Sequence, residues 1–178
     1  MRHSARSQSG VALFISLVLL LVLTIIGVSS VQTTSLEVRM TRNEHDSMLA
    51  FQAAESALKD AEAAIQALTS TAGFSLTGTN GLYEGAAMGD EPVWQYDDLW
   101  EAANSREAET EVVGVISQPR YVVEYLGAVV REENAYQIDD PYSSSAADRI
   151  EIFRVTARGV GGSPNSQVTL QSSFGRIL

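Results

Sequence analysis

The chain has no cysteine. That excludes disulfide frameworks and thiolate metal sites, so packing alone must hold any exported domain together. Lysine is nearly absent, with Lys59 as its one instance, and there is no basic stripe. Phosphate backbones need clustered Lys and Arg, so nucleic acid is excluded as a partner. Histidine is represented by His3 and His45 only. A Ser-His-Asp or Cys-His constellation has almost no material, and no zinc spacing exists. Proline is absent before Pro92, and formal charge is absent between Arg6 and Glu37. An average globular surface does not tolerate such an uncharged run.

The run is apolar and aliphatic. Val11-Ala-Leu-Phe-Ile-Ser-Leu-Val-Leu-Leu-Leu-Val-Leu-Thr-Ile-Ile-Gly-Val-Ser-Ser-Val31 is about 30 Å long as a helix, the thickness of a bilayer's hydrocarbon core. Ser16, Thr24, Ser29 and Ser30 can return their hydroxyls to helix carbonyls and so do not forbid insertion. Arg2 and Arg6 precede the run, while the acid follows it and brings the net charge to −10. The positive-inside rule puts the N-terminus in the cytoplasm and the acidic bulk outside. Three arrangements are compatible with this pattern. A secretory signal peptide would be removed after the run, near Val28-Ser29-Ser30. A plain anchor would be uncut. A prepilin-type leader, residues 1–10, would be cut before the run, leaving the helix in the product.

Helical patterning continues beyond the span. Phe51, Ala54, Leu58, Ala61, Ile65 and Leu68 are spaced three and four apart, which is one face of an amphipathic helix. Glu55 and Lys59 sit four apart in the favourable order on the opposite face. Thr69-Ser70-Thr71-Ala72-Gly73 marks the stop. One helix from Val11 to Leu68 would be roughly 87 Å long. The alternative is two helices hinged near Gly27-Val28-Ser29-Ser30, where glycine weakens the helix by about 1 kcal/mol relative to alanine.

The rest, about 110 residues, is enough for one modest core. Gly73–Asn104 reads mostly as loop, with Trp94, Tyr96 and Trp100 as packing anchors and a short helix as an option over Asp97–Ser105. Pro119–Arg131, Ile150–Arg158 and Gln167–Arg176 read as strands, with Glu111–Gln118 as a further candidate. On the last strand Val168, Leu170 and Phe174 share one parity. Gly159–Ser166 is a turn cluster. The expectation is α+β: a long N-terminal helix packed on a small antiparallel meander with one buried face. The polar loop Glu132–Arg149, with Asp139, Asp140 and Asp148, reads as solvated; a weak Ca²⁺ site is the sharper alternative, although its spacing matches no EF-hand. Gly159, Gly161 and Gly162 do not make a phosphate-binding loop. The neighbouring carboxylates Asp97-Asp98, Glu132-Glu133 and Asp139-Asp140 are explained by surface charge. No enzyme, cofactor or metal site is expected.

A basic leader ending in glycine, an uncharged apolar helix, an amphipathic continuation and a C-terminal sheet make up the layout of type IV pilins. Gly10-Val-Ala-Leu, Leu23-Thr-Ile-Ile-Gly-Val-Ser-Ser, Thr33-Thr-Ser-Leu-Glu-Val-Arg-Met-Thr-Arg-Asn and Ala50-Phe-Gln-Ala-Ala-Glu-Ser-Ala-Leu58 resemble the PilX-type minor pilins. The ending, Phe153–Gly162 and Val168–Phe174, resembles that family's closing strands; Gly73–Arg149 resembles nothing nameable. The resemblance implies four regions: leader 1–10, membrane or filament-core helix 11–31, amphipathic helix 32–70 and outer domain 71–178. It implies cleavage by a prepilin peptidase between Gly10 and Val11, methylation of the Val11 amine, and residence in the inner membrane before assembly. Implied partners are the major pilin, other minor pilins and a tip adhesin; implied consequences are twitching motility and adhesion. Most pilins carry glutamate as the fifth mature residue, and here that residue is Ile15, which favours a tip or priming position over the shaft. A type II secretion pseudopilin or a membrane-anchored binding module are the competing readings.

Overall fold

The computed structural model describes residues 9–87, 89–130 and 149–178. The leader residues Arg2, His3 and Arg6 and the loop carboxylates Asp139, Asp140 and Asp148 lie outside them. The chain divides into two units, Met1–Glu44 and His45–Leu178.

One α-helix, α1, runs from Ser9 to Ala67. It is continuous through Gly27–Ser30, so glycine there is a weak point without a break. In the first unit it is exposed on all sides. In the second unit its inner stripe is Ala50, Ala53, Ala54, Ala57, Ala61 and Ile65, all fully buried. The buried face is therefore rotated from the expected one: Phe51 is 42% exposed.

The second unit is α+β, with α1 packed on a mostly antiparallel sheet. The strands are β1 (Leu82–Glu84), β2 (Arg106–Glu107), β3 (Arg120–Val130), β4 (Arg149–Val160) and β5 (Gln167–Arg176). The sheet order is β1-β3-β4-β5, with β2 also pairing to β3. The long pairs β3–β4 and β4–β5 are antiparallel, and the short pair β1–β3 is parallel. Leu126 is the extra residue of a bulge between Tyr125 and Gly127. Gly127 takes φ 113°, a conformation that suits glycine.

The helix-side core joins the alanine stripe to Tyr121, Val123, Phe153, Val155 and Ala157. Phe153 sits 5.6 Å from the rings of both Phe74 and Tyr125. Full burial of such a ring contributes about 2–3 kcal/mol. The expectation of one buried face is corrected here. Val122 and Thr156, of the opposite parity, are buried too. Tyr83, Val93 and Leu99 cover Val122, with Tyr96 and Trp100 packed around them. The segment read as loop is thus a second lid on the sheet. It holds a 3-10 turn at Val93–Gln95 and a run of turns over Asp97–Ser105, not a helix there. Glu111–Gln118 is likewise turn and coil; the extra strand is β2.

Arg120 fixes this lid. Its Nε donates to Ser105 Oγ at 2.7 Å and its Nη2 to the Ser105 carbonyl at 2.6 Å, while Nη1 meets Glu107 at 3.1 Å. Tyr83 donates to the Asn104 carbonyl at 3.0 Å. The Arg158 guanidinium stacks 5.5 Å over the Trp100 ring, a cation–π contact.

Three contacts tie α1 to the turn after β4, to the coil after β2 and to the end of β5. Near Asp46, the N–H of Gly162 donates to the carboxylate at 2.5 Å and that of Ser163 at 3.3 Å, with the Ser163 hydroxyl as a further donor. Midway, Asp60 accepts from the backbone N–H and hydroxyl of Thr110 at 2.8 and 3.0 Å. At the helix end, Arg176 Nη1 donates to the carbonyls of Ile65 and Leu68 at 2.5 and 2.8 Å. The Ile65 carbonyl also accepts the Leu68 N–H of the closing turn at 3.1 Å, and a cation at this helix end suits the helix dipole. Arg176→Ala is expected to destabilise the second unit by about 2 kcal/mol. Urea titration should show an unchanged slope and a lower midpoint. An unchanged midpoint would mean that water replaces the guanidinium without loss.

Candidate assembly surface

Gly10, Val11 and Ile15 all lie on α1, in its first turns. Val11 is 60% exposed and Ile15 52%. From there to Val31 the large aliphatic side chains point outward on every side of the helix. Such an all-round apolar helix requires an apolar surround. Its length and composition suffice to cross a membrane. Two of the hydroxyls inside it are satisfied locally: Ser16 donates to the Leu13 carbonyl at 2.8 Å and Thr24 to the Leu20 carbonyl at 2.7 Å. Thr33 and Thr34 bond back to the carbonyls of Ser29 and Ser30, each at 3.1 Å. The Ser16 and Thr24 hydroxyls therefore do not demand water on this stretch. Ile15 contributes only hydrocarbon where a carboxylate would supply charge.

Charge resumes at Glu37, after the apolar run, and the surface changes character with it. In the second unit the pKa of the Asp46 carboxyl is lowered from its ordinary value, chiefly by the Ser163 hydroxyl; burial opposes this, and the Gly162 and Ser163 amides add to the lowering. It acts as an anchor for the turn after β4. Gly159 and Gly161 belong to the same dock. A Cβ on Gly159 would stand 2.1 Å from the Ala50 carbonyl oxygen and 2.4 Å from the Ala54 nitrogen. A Cβ on Gly161 would stand 2.5 Å from the Asp46 carbonyl oxygen. These glycines let strand and helix backbones touch. Gly159 lies within β4 and not in the turn cluster expected over Gly159–Ser166. Glycine inside a strand pattern was the available signal.

Glu124 was not singled out from the sequence. It is 1% exposed, and neither carboxylate oxygen has a hydrogen-bond partner. Its neighbours across the ladders are Tyr83 and Arg154, with the Arg154 Nη1 3.9 Å away. Burial raises its pKa, and Arg154 opposes that rise. The acidic pair Asp97-Asp98 is exposed. Glu132-Glu133 and Asp139-Asp140 lie outside the described residues. Among the described residues no group of three or more His, Cys, Asp or Glu converges as a metal site would require. His45 is exposed on α1. The features that the structure brings together are therefore docking and packing features.

Two family models match, and together they cover nearly the whole chain. The PilX N-terminal model matches residues 9–59. The model of the C-terminal part of the type IV pilus assembly protein PilX matches residues 46–176. Neither a curated protein nor a solved structure matches significantly. The two matches overlap on α1 over residues 46–59, where the alanine stripe lies. An exposed apolar helix leading into a small helix-on-sheet unit is what a pilin subunit needs, and the chain belongs to the PilX family of type IV pilus assembly proteins, the minor pilins.

Proposed function

We propose that this chain is a priming or tip subunit of the type IV pilus. A prepilin peptidase cuts it between Gly10 and Val11, and the new Val11 amine is methylated. The helix then waits in the inner membrane, with the second unit in the periplasm, before joining other minor pilins, the major pilin and a tip adhesin. Twitching motility and adhesion depend on it through the pilus.

The observation that carries this reading is the exposed, uncharged surface of α1 from Val11 to Val31 with Ile15 in it. In a filament core of packed apolar helices, each N-terminal amine is costly unless a carboxylate meets it. Ile15 offers none. This subunit can place its own amine against a neighbour's glutamate, but it cannot serve the subunit that would follow it. That favours an end position over a repeated one. The match to pilus assembly models over both parts of the chain favours a pilus over a secretion pseudopilus.

Two measurements test it. The mature chain is expected to begin at N-methylated Val11 by intact mass; a chain beginning at Met1 overturns the processing step and supports an uncut anchor. Deletion of the gene, with any paralogue, is expected to abolish or sharply reduce surface pili. Normal piliation with loss of a secreted protein would instead support the pseudopilin reading.

A further inference from the structure

β5 is the outer strand of the sheet, and among the described residues nothing pairs with its far side. Its ten residues run without a bulge along β4. The direction of its backbone groups follows from one bond. The Gly161 N–H donates to the Ser166 carbonyl at 2.8 Å, and this pair continues the β4–β5 register by one step. Hydrogen-bonded pairs alternate along an antiparallel ladder. Val168, Leu170, Ser172, Phe174 and Arg176 therefore bond to β4. Gln167, Thr169, Gln171, Ser173 and Gly175 turn their N–H and C=O groups outward.

Long outer strands are usually blunted by lysine, proline, a bulge or a charge. β5 has no lysine, proline or bulge, and its one charge, Arg176, is at its end and bonded to α1. Its helix-side row is also incomplete. Val168, Leu170 and Phe174 are only half-buried. At 3.6 residues per turn, Asp60 lies on the flank of α1 toward Thr110 and β3, and Phe51, Leu58, Glu55 and Glu62 lie on the other flank, toward β5. Phe51 and Glu55 are exposed, Leu58 and Glu62 half-buried. Neither glutamate is in an ion pair among the described residues. The open edge therefore combines a row of unused backbone groups, an apolar shelf and two carboxylates.

We infer that β5 accepts an extended strand from a different subunit, antiparallel or parallel, with apolar and basic residues on its helix-side face. The unused main-chain groups call for another main chain. The half-buried Val168, Leu170 and Phe174 call for aliphatic side chains on alternate positions. Glu55 and Glu62 call for Lys or Arg among them. This rests on the reading of the chain as an assembly subunit and names the chemistry of one neighbour.

The test uses the full-length chain in detergent micelles and a synthetic peptide in which threonine alternates with valine or lysine. Hydrogen exchange at Thr169, Gln171 and Ser173 should slow about tenfold on adding the peptide, with no change at Leu170 and Ser172, which already bond to β4. Ser173→Pro removes an outward N–H and spares the β4 ladder. It should keep the thermal midpoint and weaken peptide binding about tenfold. Ser172→Pro should instead lower the midpoint, because it removes a donor to β4. The inference is overturned if the three amides are protected without peptide, if the peptide does not bind, if Ser173→Pro binds like the parent, or if β5 pairs two copies of this chain in sedimentation. In a piliated strain, Ser173→Pro should reduce pili at normal protein level. If deletion removes pili but Ser173→Pro leaves them normal, the strand-accepting role fails and the assembly role stands. If deletion leaves pili normal, the assembly role fails, and the peptide result alone decides whether the edge accepts a strand.

Discussion

Gly159→Ala lowers the stability of the second unit by about 3 kcal/mol or more, a large share of a domain's usual 5–15 kcal/mol. The added methyl would overlap the Ala50 carbonyl oxygen and the Ala54 nitrogen. Both are backbone atoms of α1 and cannot rotate away as a side-chain tip would. Relief requires α1 to lift off β4, which opens contacts along the whole alanine stripe. Alanine also restricts the unfolded chain, but that gain is about 0.4–1 kcal/mol and does not offset the clash. Gly175→Ala is the matched control. Its Cβ would approach Ile150 Cγ2 at 3.2 Å and Ile152 Cδ1 at 3.4 Å, both ends of movable side chains. Thermal melts in one detergent should show a fall of roughly 10 °C for Gly159→Ala and little change for Gly175→Ala. Equal midpoints for the two variants would show that helix and strand are not in backbone contact.

Arg154→Met costs about 2 kcal/mol at neutral pH and little in acid. The arginine is about one-third exposed, which moderates the figure, but Glu124 is buried and, among the described residues, has no other ion-pair partner. Burial raises the folded-state pKa of Glu124 above its ordinary 4.5. For a raised carboxyl, the favourable contribution is full below the ordinary value, where the group is neutral in both states. It is lost as pH rises through the raised folded value, because the unfolded chain ionises first. Without Arg154 that folded value rises further, so the deficit of the variant grows with pH. Glu124→Gln removes the charge itself and should match or exceed the parent at pH 7, with Arg154→Met then nearly harmless on top of it. Midpoints measured from pH 4 to pH 8 check this by difference, so that other carboxylates cancel. A deficit for Arg154→Met that is equal at both ends would assign the arginine a packing role alone.

The long elements were legible because they carry period and composition. Arg120–Val130 falls inside the strand expected over Pro119–Arg131, and Gln167–Arg176 agrees at both ends. α1 was legible from its uncharged run and its three-four spacing. The face it buries was shifted toward Ala50 and away from Phe51, since spacing locates apolar residues and does not weigh their size. A backbone contact at Gly159 selects alanine, and that contact joins residues more than a hundred positions apart. The second lid was missed for a related reason. Tyr83, Val93, Tyr96, Leu99 and Trp100 have no common period, and β1 has only three residues to show one. Trp94, grouped with the packing anchors, is 46% exposed. At the candidate surface, Gly10, Val11 and Ile15 were reached through family resemblance, whereas Asp46 and Arg176 act through partners that only the folded chain brings near.

The bracketing of α1 also governs how the subunit bears load. The helix lies along β4, tied near one end by Asp46 to the Gly162–Ser163 turn and at the other by Arg176 to Ile65 and Leu68. Within the second unit, tension applied to α1 at His45 along the helix axis acts along the seam, so these ties and the alanine stripe between them must slide together. Resistance under such shear is set by the rate of forced unfolding and not by equilibrium stability. The second unit is thus built to yield all at once or not at all under a pull along α1.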